Sequence, residues 1–228
     1  MNDQLERIAK ERLNPGLSNP NYLVLRSRRR IFSDWMGGLG SNLDVLDVGG
    51  RYQPYRPLLN GKAKRYVALD VAPTRLLSVV ASGEQMPFAD ESFDLVIATQ
   101  VFEYIRQPQQ AAAEAYRVLR KGGTLLMSTA FLAPRFGDAE LWRYSPQALR
   151  NLLQQFPQVE VRPELTALPG MLRLMNLFMH DGLRLRLLQK LYDFTVCPAI
   201  NLLGCGFEAA HIGSGDSWSA NYSVRAIK

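Results

Sequence analysis

The feature that most constrains this 228-residue chain is the stretch from Asn42 to Asp70. Val45 to Val48 is a short apolar run that ends in Gly49-Gly50, as a buried strand does when it leaves its sheet through a tight turn. A second apolar run, Tyr66-Val67-Ala68-Leu69, ends on Asp70, 23 residues beyond Asp47. An acidic residue about 20 positions past a glycine-bearing strand end is where a doubly wound α/β sheet hydrogen-bonds a ribose. The turn argues against a dinucleotide. A pyrophosphate cradle needs three spaced glycines before a helix. Here Arg51 and Gln53 stand at the later positions, and Pro54 and Pro57 leave little room for a regular helix start. Such a turn can still hold an amino-acid tail, with Asp47 beside a cationic amine or sulfonium. The alternative is a strand, a turn and an acidic cap with no ligand.

Four segments in this order resemble the Rossmann-like (class I) S-adenosylmethionine-dependent methyltransferases. They are Val45 to Gly50, Ser82 to Phe88, Ser92 to Ile105, and Glu114 to Gly123. The resemblance covers about residues 40–155. It implies a seven-stranded, mostly parallel sheet with helices on both faces and a helical insert before the last strand. The organisation expected is a helical cap (1–40), a core (41–164 and 220–228) and an insert or lid (165–219). The cofactor implied is S-adenosyl-L-methionine, held by Asp47, Gly49, Gly50, Arg51, Asp70, Val71, Ser82, Gly83, Glu84, Thr99 and Gln100. Relatives often carry an acid at the place of Ser82, so Glu84 is the nearby substitute there. They often carry a histidine at Tyr104, whose phenol, with pKa near 10, is a weak base at neutral pH. General-base candidates are Tyr104, Glu140, His180 and His211.

The loop 131–144 carries Arg135, Asp138, Glu140 and then Trp142-Arg143-Tyr144. Similar enzymes acting on sugars have an aromatic-Arg-aromatic triplet, which assigns these three residues to the substrate side. The competing reading pairs Arg143 with Glu140 to hold the loop shut. Adjacent glycines, Gln53-Pro54-Tyr55 and the triplet resemble the branch found with surface-glycan biosynthesis, so a sugar hydroxyl is the expected acceptor. The alternatives are a small aromatic or lipid metabolite, or a non-catalytic S-adenosylmethionine-binding partner protein.

The net charge of +6 favours acidic partners. Residues 1–35 hold seven Lys and Arg against four Asp and Glu, half of that excess. Arg26, Arg28, Arg29 and Arg30 read as a solvated helix face, or as an arm for phosphate or an anionic membrane. Nucleic acid is disfavoured: the Asn/Asp-Pro-Pro-aromatic and Pro-Cys motifs of base methylation are missing. Two cysteines, Cys197 and Cys205, make neither a disulfide scaffold nor a zinc pattern, and no metal site is expected. A polar start without a secretory pattern suggests a cytoplasmic protein, with peripheral membrane contact open. In the insert, Arg173, Asn176, His180 and Arg184 recur at helical spacing opposite Leu, Met and Phe. That apolar face is expected to be core.

Further boundaries follow from periodicity. The first 20 residues are polar, with Asn14-Pro15-Gly16 as a breaker, and a helix begins after Pro20 with Tyr22, Leu25, Arg29 and Phe32 on one face. Strands are expected at 76–81, 93–98, 124–129, 159–162 and 220–227. Helices are expected at 107–120, closed by Gly122-Gly123 as a C-cap, and from Ser145-Pro146 to about Phe156.

Overall fold

A computed structural model describes residues 2–134, 137–212 and 219–228. The elements in order are α1 (Asn2–Leu13), α2 (Tyr22–Gly37), β1 (Leu43–Val48), β2 (Ala63–Asp70), β3 (Val79–Val80), β4 (Phe93–Thr99), α3 (Pro108–Val118) and β5 (Leu119–Ala130). There follow α4 (Pro146–Leu152), β6 (Gln158–Pro163), α5 (Ala167–Gly182), α6 (Arg186–Phe194), α7 (Val196–Ala209) and β7 (Asn221–Ile227). One sheet runs β3-β2-β1-β4-β5-β7-β6. β3 to β5 are parallel with their neighbours, and β7 is antiparallel to both β5 and β6. This is the Rossmann-like architecture expected from the sequence, with α5, α6 and α7 inserted before the last strand.

The central strands are apolar throughout because both sheet faces are covered, and alternate side chains serve opposite layers. Leu46, Val48, Val96, Ala98, Leu125 and Met127 pack with α3 and α4. Val45, Leu95, Ile97 and Leu126 pack with Ile31, Phe32, Trp35 and Met36 of α2. Each face therefore has its own buried layer.

Several local expectations change. The inward face of α2 is Leu23, Val24, Ser27, Arg28, Ile31, Phe32, Trp35 and Met36, a register one step from the one the periodicity suggested. Arg28 is thus buried instead of solvated. Its Nε and Nη2 donate to Glu164 Oε1 and Oε2 at 2.8 and 2.9 Å, and Ser128 and Ser223 hydroxyls each donate to Oε1 at 2.8 Å. This buried ion pair ties α2 to three strands. Gly122 and Gly123 do not cap a helix. α3 ends at Val118 and the chain continues directly into β5, where Gly122 at φ +76° forms an irregularity. A Cβ on Gly123 would fall 2.8 Å from the Arg120 carbonyl oxygen, so the bend demands glycine there. The third strand is only two residues long, and α4 stops at Leu152. Its Ser145 cap does form, accepting from the Ala148 N–H at 3.3 Å.

The insert inverts its expected polarity. Arg173 and Asn176 face inward, while Met171, Met175, Phe178 and Met179 face out. Tyr192 donates to Asn176 Oδ1 at 2.6 Å, and Asn201 donates to the Leu17 and Asn19 carbonyls at 2.7 and 3.0 Å. Polar side chains thus bind the insert to the segment joining α1 and α2. No described helix is long and apolar enough to cross a membrane.

Candidate functional site

A cleft of about 990 Å³ opens at the carboxyl ends of β1, β2 and β4, roofed by α1, the start of α2, and α5. That is where an open α/β sheet takes its ligand. The volume lies at the upper end for small-molecule sites, room for a cofactor and an acceptor together.

The turn after β1 is built for close approach. Gly49 and Gly50 both donate to the Leu69 carbonyl, at 2.7 and 3.1 Å. Gly49 sits at φ +74°, and a Cβ there would lie 2.0 Å from Val101 Cγ2. Asp47, expected beside a cationic group of a ligand, packs beneath this turn instead and does not line the cleft. The Tyr66 hydroxyl donates to its Oδ2 at 2.6 Å, and burial pushes its carboxyl up to about 7. Gly50 lies over it: a Cβ would meet the Asp47 carbonyl oxygen at 2.7 Å. A single 3₁₀ turn, Arg56–Leu59, stands where a dinucleotide fold would start a helix.

Asp70 reaches the cleft wall from the end of β2. Its Oδ1 accepts from Arg51 Nη2 at 3.0 Å and from the Ala72 N–H at 2.9 Å, and its Oδ2 accepts from Arg51 Nε at 3.1 Å. Of about four acceptor positions on a carboxylate, three are taken. A ribose needing two would have Arg51 release Oδ1. On the same side, Ser82 donates to Glu84 Oε2 at 3.1 Å, and Glu84 Oε1 accepts from the Gln107 N–H at 2.7 Å. Val71, Ser82, Gly83, Glu84, Thr99 and Gln100 all line the cleft, so its β2 end suits an adenosine.

The opposite end was not legible as a site. Asn21, Arg28, Arg173 and Asn221 meet there, from three separate elements and one connecting segment, while Arg12 stacks on Tyr52 beside Arg51. In the amide orientation that satisfies both ends, Asn221 accepts from Arg28 Nη2 at 2.9 Å and donates to the Ala220 carbonyl at 2.7 Å. Arg173 is only 2% exposed. Its Nε and Nη2 donate to Asn21 Oδ1 at 3.1 and 2.8 Å, and its Nη1 to the Leu132 carbonyl at 3.4 Å. Burial lowers it to about 10, with Arg28 adding to the effect. The signal in the sequence was an arginine interrupting an apolar helix. Such a charge, buried with no carboxylate in ion-pair reach among the described residues, carries a desolvation penalty of several kcal/mol.

The catalytic candidates separate. Tyr104 lines the cleft, and burial raises its phenol further, so it stays protonated and donates hydrogen bonds. Glu140 is held in an ion pair by Arg143 Nε at 2.5 Å. Arg143 also donates to the carbonyls of Phe131, Ala133 and Pro134. Trp142 Nε1 donates to the Ile105 carbonyl at 2.7 Å and Tyr144 to the Phe102 carbonyl at 3.1 Å. The triplet stitches its loop down; it lines a separate shallow depression with Pro108 and Gln109. His180 pairs with Asp181 at 3.0 Å and Asp193 at 3.5 Å on the insert, and His211 is exposed past α7 at φ 54°. Neither histidine borders the cleft. Arg135 lies outside the described residues. A carboxyl that the sequence did not single out, Glu103, is buried and pushed up to about 7 by that burial, its Oε1 accepting from the Ala130 N–H at 2.5 Å. Among the described residues no group of His, Cys, Asp or Glu could hold a metal.

Residues 46–127 match the family model of a methyltransferase domain. An uncharacterized methyltransferase of Mycolicibacterium paratuberculosis is 32% identical over 123 residues, covering 47% of this chain and 48% of the relative. Another, of Mycolicibacterium vanbaalenii, is 30% identical over 151 residues, covering 60% and 58%. The chain spans about half the length of the curated relatives it matches. Among solved structures, phosphoethanolamine N-methyltransferase 2 of Haemonchus contortus, in complex with phosphomonomethylethanolamine and S-adenosylhomocysteine, aligns with a TM-score of 0.57 at 14% identity, covering 97% of this chain and 57% of that one. A SAM-dependent methyltransferase from Archaeoglobus fulgidus aligns at 0.56 and 12% identity, covering 97% and 99%. At these identities the structural likeness speaks for the fold. The family match covers the first glycine turn, Asp70 and the β4 edge, the same residues that line the nucleoside end of the cleft. Residues 46–127 thus match a methyltransferase domain and carry the fold of such enzymes, for which the cofactor is S-adenosyl-L-methionine.

Proposed function

We propose that the protein methylates a hydroxyl of a sugar or glycan precursor. The observation that carries this reading is the wall of the cleft remote from Asp70, which is lined by Asn19, Asn21 and Asn221 beside the guanidinium groups of Arg28 and Arg173. Paired donors and acceptors of this kind suit a polyhydroxylated ligand and would be wasted on an apolar one. The cofactor supplies an electrophilic methyl group when bound. The chain's own residues then have to place an acceptor oxygen in line with it while the hydroxyl proton passes to water at the open cleft mouth, and such positioning contributes on the order of 7–11 kcal/mol. Asp70 would take the ribose hydroxyls, the Gly49 and Gly83 backbone would allow close approach, and Tyr104 would donate to the acceptor from the side wall. Trp142, Arg143 and Tyr144 would act by holding the loop 137–144 against the cleft mouth. The experiment is transfer from labelled S-adenosylmethionine to a panel of sugars, with mass spectrometry of surface polysaccharide from a strain lacking the gene. Unchanged polysaccharide together with no labelled sugar would refute it.

A second reading, a lipid or aromatic acceptor, draws on the inverted insert. Phe178, Leu187 and Phe194 are 81, 78 and 77% exposed, and Arg184, Arg186 and Lys190 lie beside them in sequence. An apolar surface with a basic flank suits the face of an anionic bilayer. Flotation with anionic vesicles tests it; failure to float would leave the polar acceptor alone.

A further inference from the structure

We infer that the acceptor carries an oxyanion, phosphoryl or carboxylate, and that Arg173 with Asn21 receives it at the end of the cleft remote from Asp70. The inference deepens the proposed methyl transfer to a polar acceptor and rests on that reading.

Arg173 lines the cleft, yet among the described residues no carboxylate lies within ion-pair distance of it. The neighbouring cation cannot compensate it. Arg28 and Arg143 add positive field at Arg173, and Glu164, whose carboxylate is bonded to Arg28, offsets only part of it. Arg12 also borders the cleft, its guanidinium 4.7 Å above the Tyr52 ring. A guanidinium has five N–H donors. Three of those on Arg173 are directed at Asn21 and Leu132, which leaves two for an incoming group. A planar fork with free donors matches two oxygens of one phosphoryl or carboxylate group. A neutral sugar or a lipid tail would leave the buried charge as costly as before; an oxyanion removes that cost.

The cofactor's own carboxylate is the competing anion, and the sheet order sets Arg173 apart from the ribose end of the cleft. Asp70 ends β2, whereas Arg173 donates to Leu132, just past β5. β2 and β5 are three strands apart in the sheet order, roughly 14 Å at ordinary strand spacing. The second alternative is a clamp that merely fixes α5 to Asn21.

The test measures binding of glucose 1-phosphate, glucuronate and glucose by thermal shift and calorimetry, with and without S-adenosylhomocysteine. The proteins are the wild type, Arg173→Met and Arg173→Lys. The wild type should be stabilised by glucose 1-phosphate or glucuronate and not by glucose; the tighter of the two anions identifies the group. Arg173→Met should melt above the wild type without ligand, because an apolar side chain replaces an uncompensated charge. It should bind the anion about thirtyfold or more weakly, with S-adenosylhomocysteine affinity within about twofold of wild type. Arg173→Lys should keep part of the anion response. Four results would overturn the inference. Glucose could bind as well as the anions. Arg173→Met could melt lower than wild type, as a clamp requires, or retain the anion response. It could also lose S-adenosylhomocysteine binding, which would give Arg173 to the cofactor's carboxylate. Absence of S-adenosylhomocysteine binding in the wild type would instead refute the methyl-donor reading, whatever the anions do.

Discussion

Replacing Asp70 with alanine should weaken S-adenosylhomocysteine binding by about 30-fold to about 20,000-fold, and the geometry sets that range. A hydrogen bond to a charged acceptor is worth about 1.5–3 kcal/mol, so two ribose hydroxyls on one carboxylate bring about 3–6 kcal/mol. Against this stands Arg51, which holds Oδ1 and Oδ2 at 3.0 and 3.1 Å. Its side chain is 37% exposed, so the pair is screened and contributes about 0–1 kcal/mol. The net is about 2–6 kcal/mol, at about 1.4 kcal/mol per tenfold. Arg51→Ala removes the competitor and should tighten binding by up to about fivefold. In the double variant that gain should vanish, because Arg51 acts through Asp70. Calorimetry with S-adenosylhomocysteine and with adenosine alone, on proteins whose circular dichroism is unchanged, measures all four corners. Binding by Asp70→Ala within about threefold of wild type would refute the ribose assignment. A large loss in Arg51→Ala would show that the arginine holds the cofactor and does not compete with it.

Glu164→Gln should destabilise the protein by about 3–5 kcal/mol in urea titrations, since it leaves Arg28 charged and unpaired in the core. The double replacement Arg28→Met with Glu164→Leu should recover most of that loss, and equal destabilisation by both variants would argue against a buried pair. Gly49→Ala should abolish S-adenosylhomocysteine binding and lower the melting temperature, because its Cβ would overlap Val101; Val101→Ala should restore part of both, and a normal Gly49→Ala protein would contradict the turn geometry. Asp47 has a folded-state pKa of about 7, raised by burial above the ordinary carboxyl value. The folded state therefore holds the proton more tightly, and this stability, full below about pH 4, is lost as pH rises through 7. Asp47→Asn should flatten that decline, by up to about 4 kcal/mol at pH 8; an identical pH profile in both proteins would mean the carboxyl is not held neutral.

The nucleoside end of the cleft was readable in the chain because it is local. Gly49, Asp70, Ser82 and Thr99 each sit at the end of an apolar run, and in a parallel sheet all such ends lie on one edge. The replaced glycines and the two prolines also foretold that no regular helix follows β1, and one 3₁₀ turn is found. Asp47 was misread because the sequence places it beside the turn without saying on which side. The packing of Gly50 over its carbonyl puts it underneath. Glu140 and the Trp142-Arg143-Tyr144 triplet look the same in sequence whether they touch a ligand or tie down a loop. The carbonyls they reach belong to residues 102–134.

Periodicity also set the wrong inward face for α2 and for α5. It counts apolar residues and cannot see that Glu164, 136 positions away, offers Arg28 a buried partner. Nor can it see that Asn176 and Asn201 meet within the insert. The alternation of apolar runs and glycine turns was enough to determine the sheet, its edge and the acid, Asp70, that lines the cleft there, since these depend on neighbours in sequence. The acceptor end of the cleft was decided by folding alone. Asn21, Arg173 and Asn221 are separated by tens to hundreds of residues, and only the tertiary packing desolvates Arg173 with no carboxylate in ion-pair reach among the described residues.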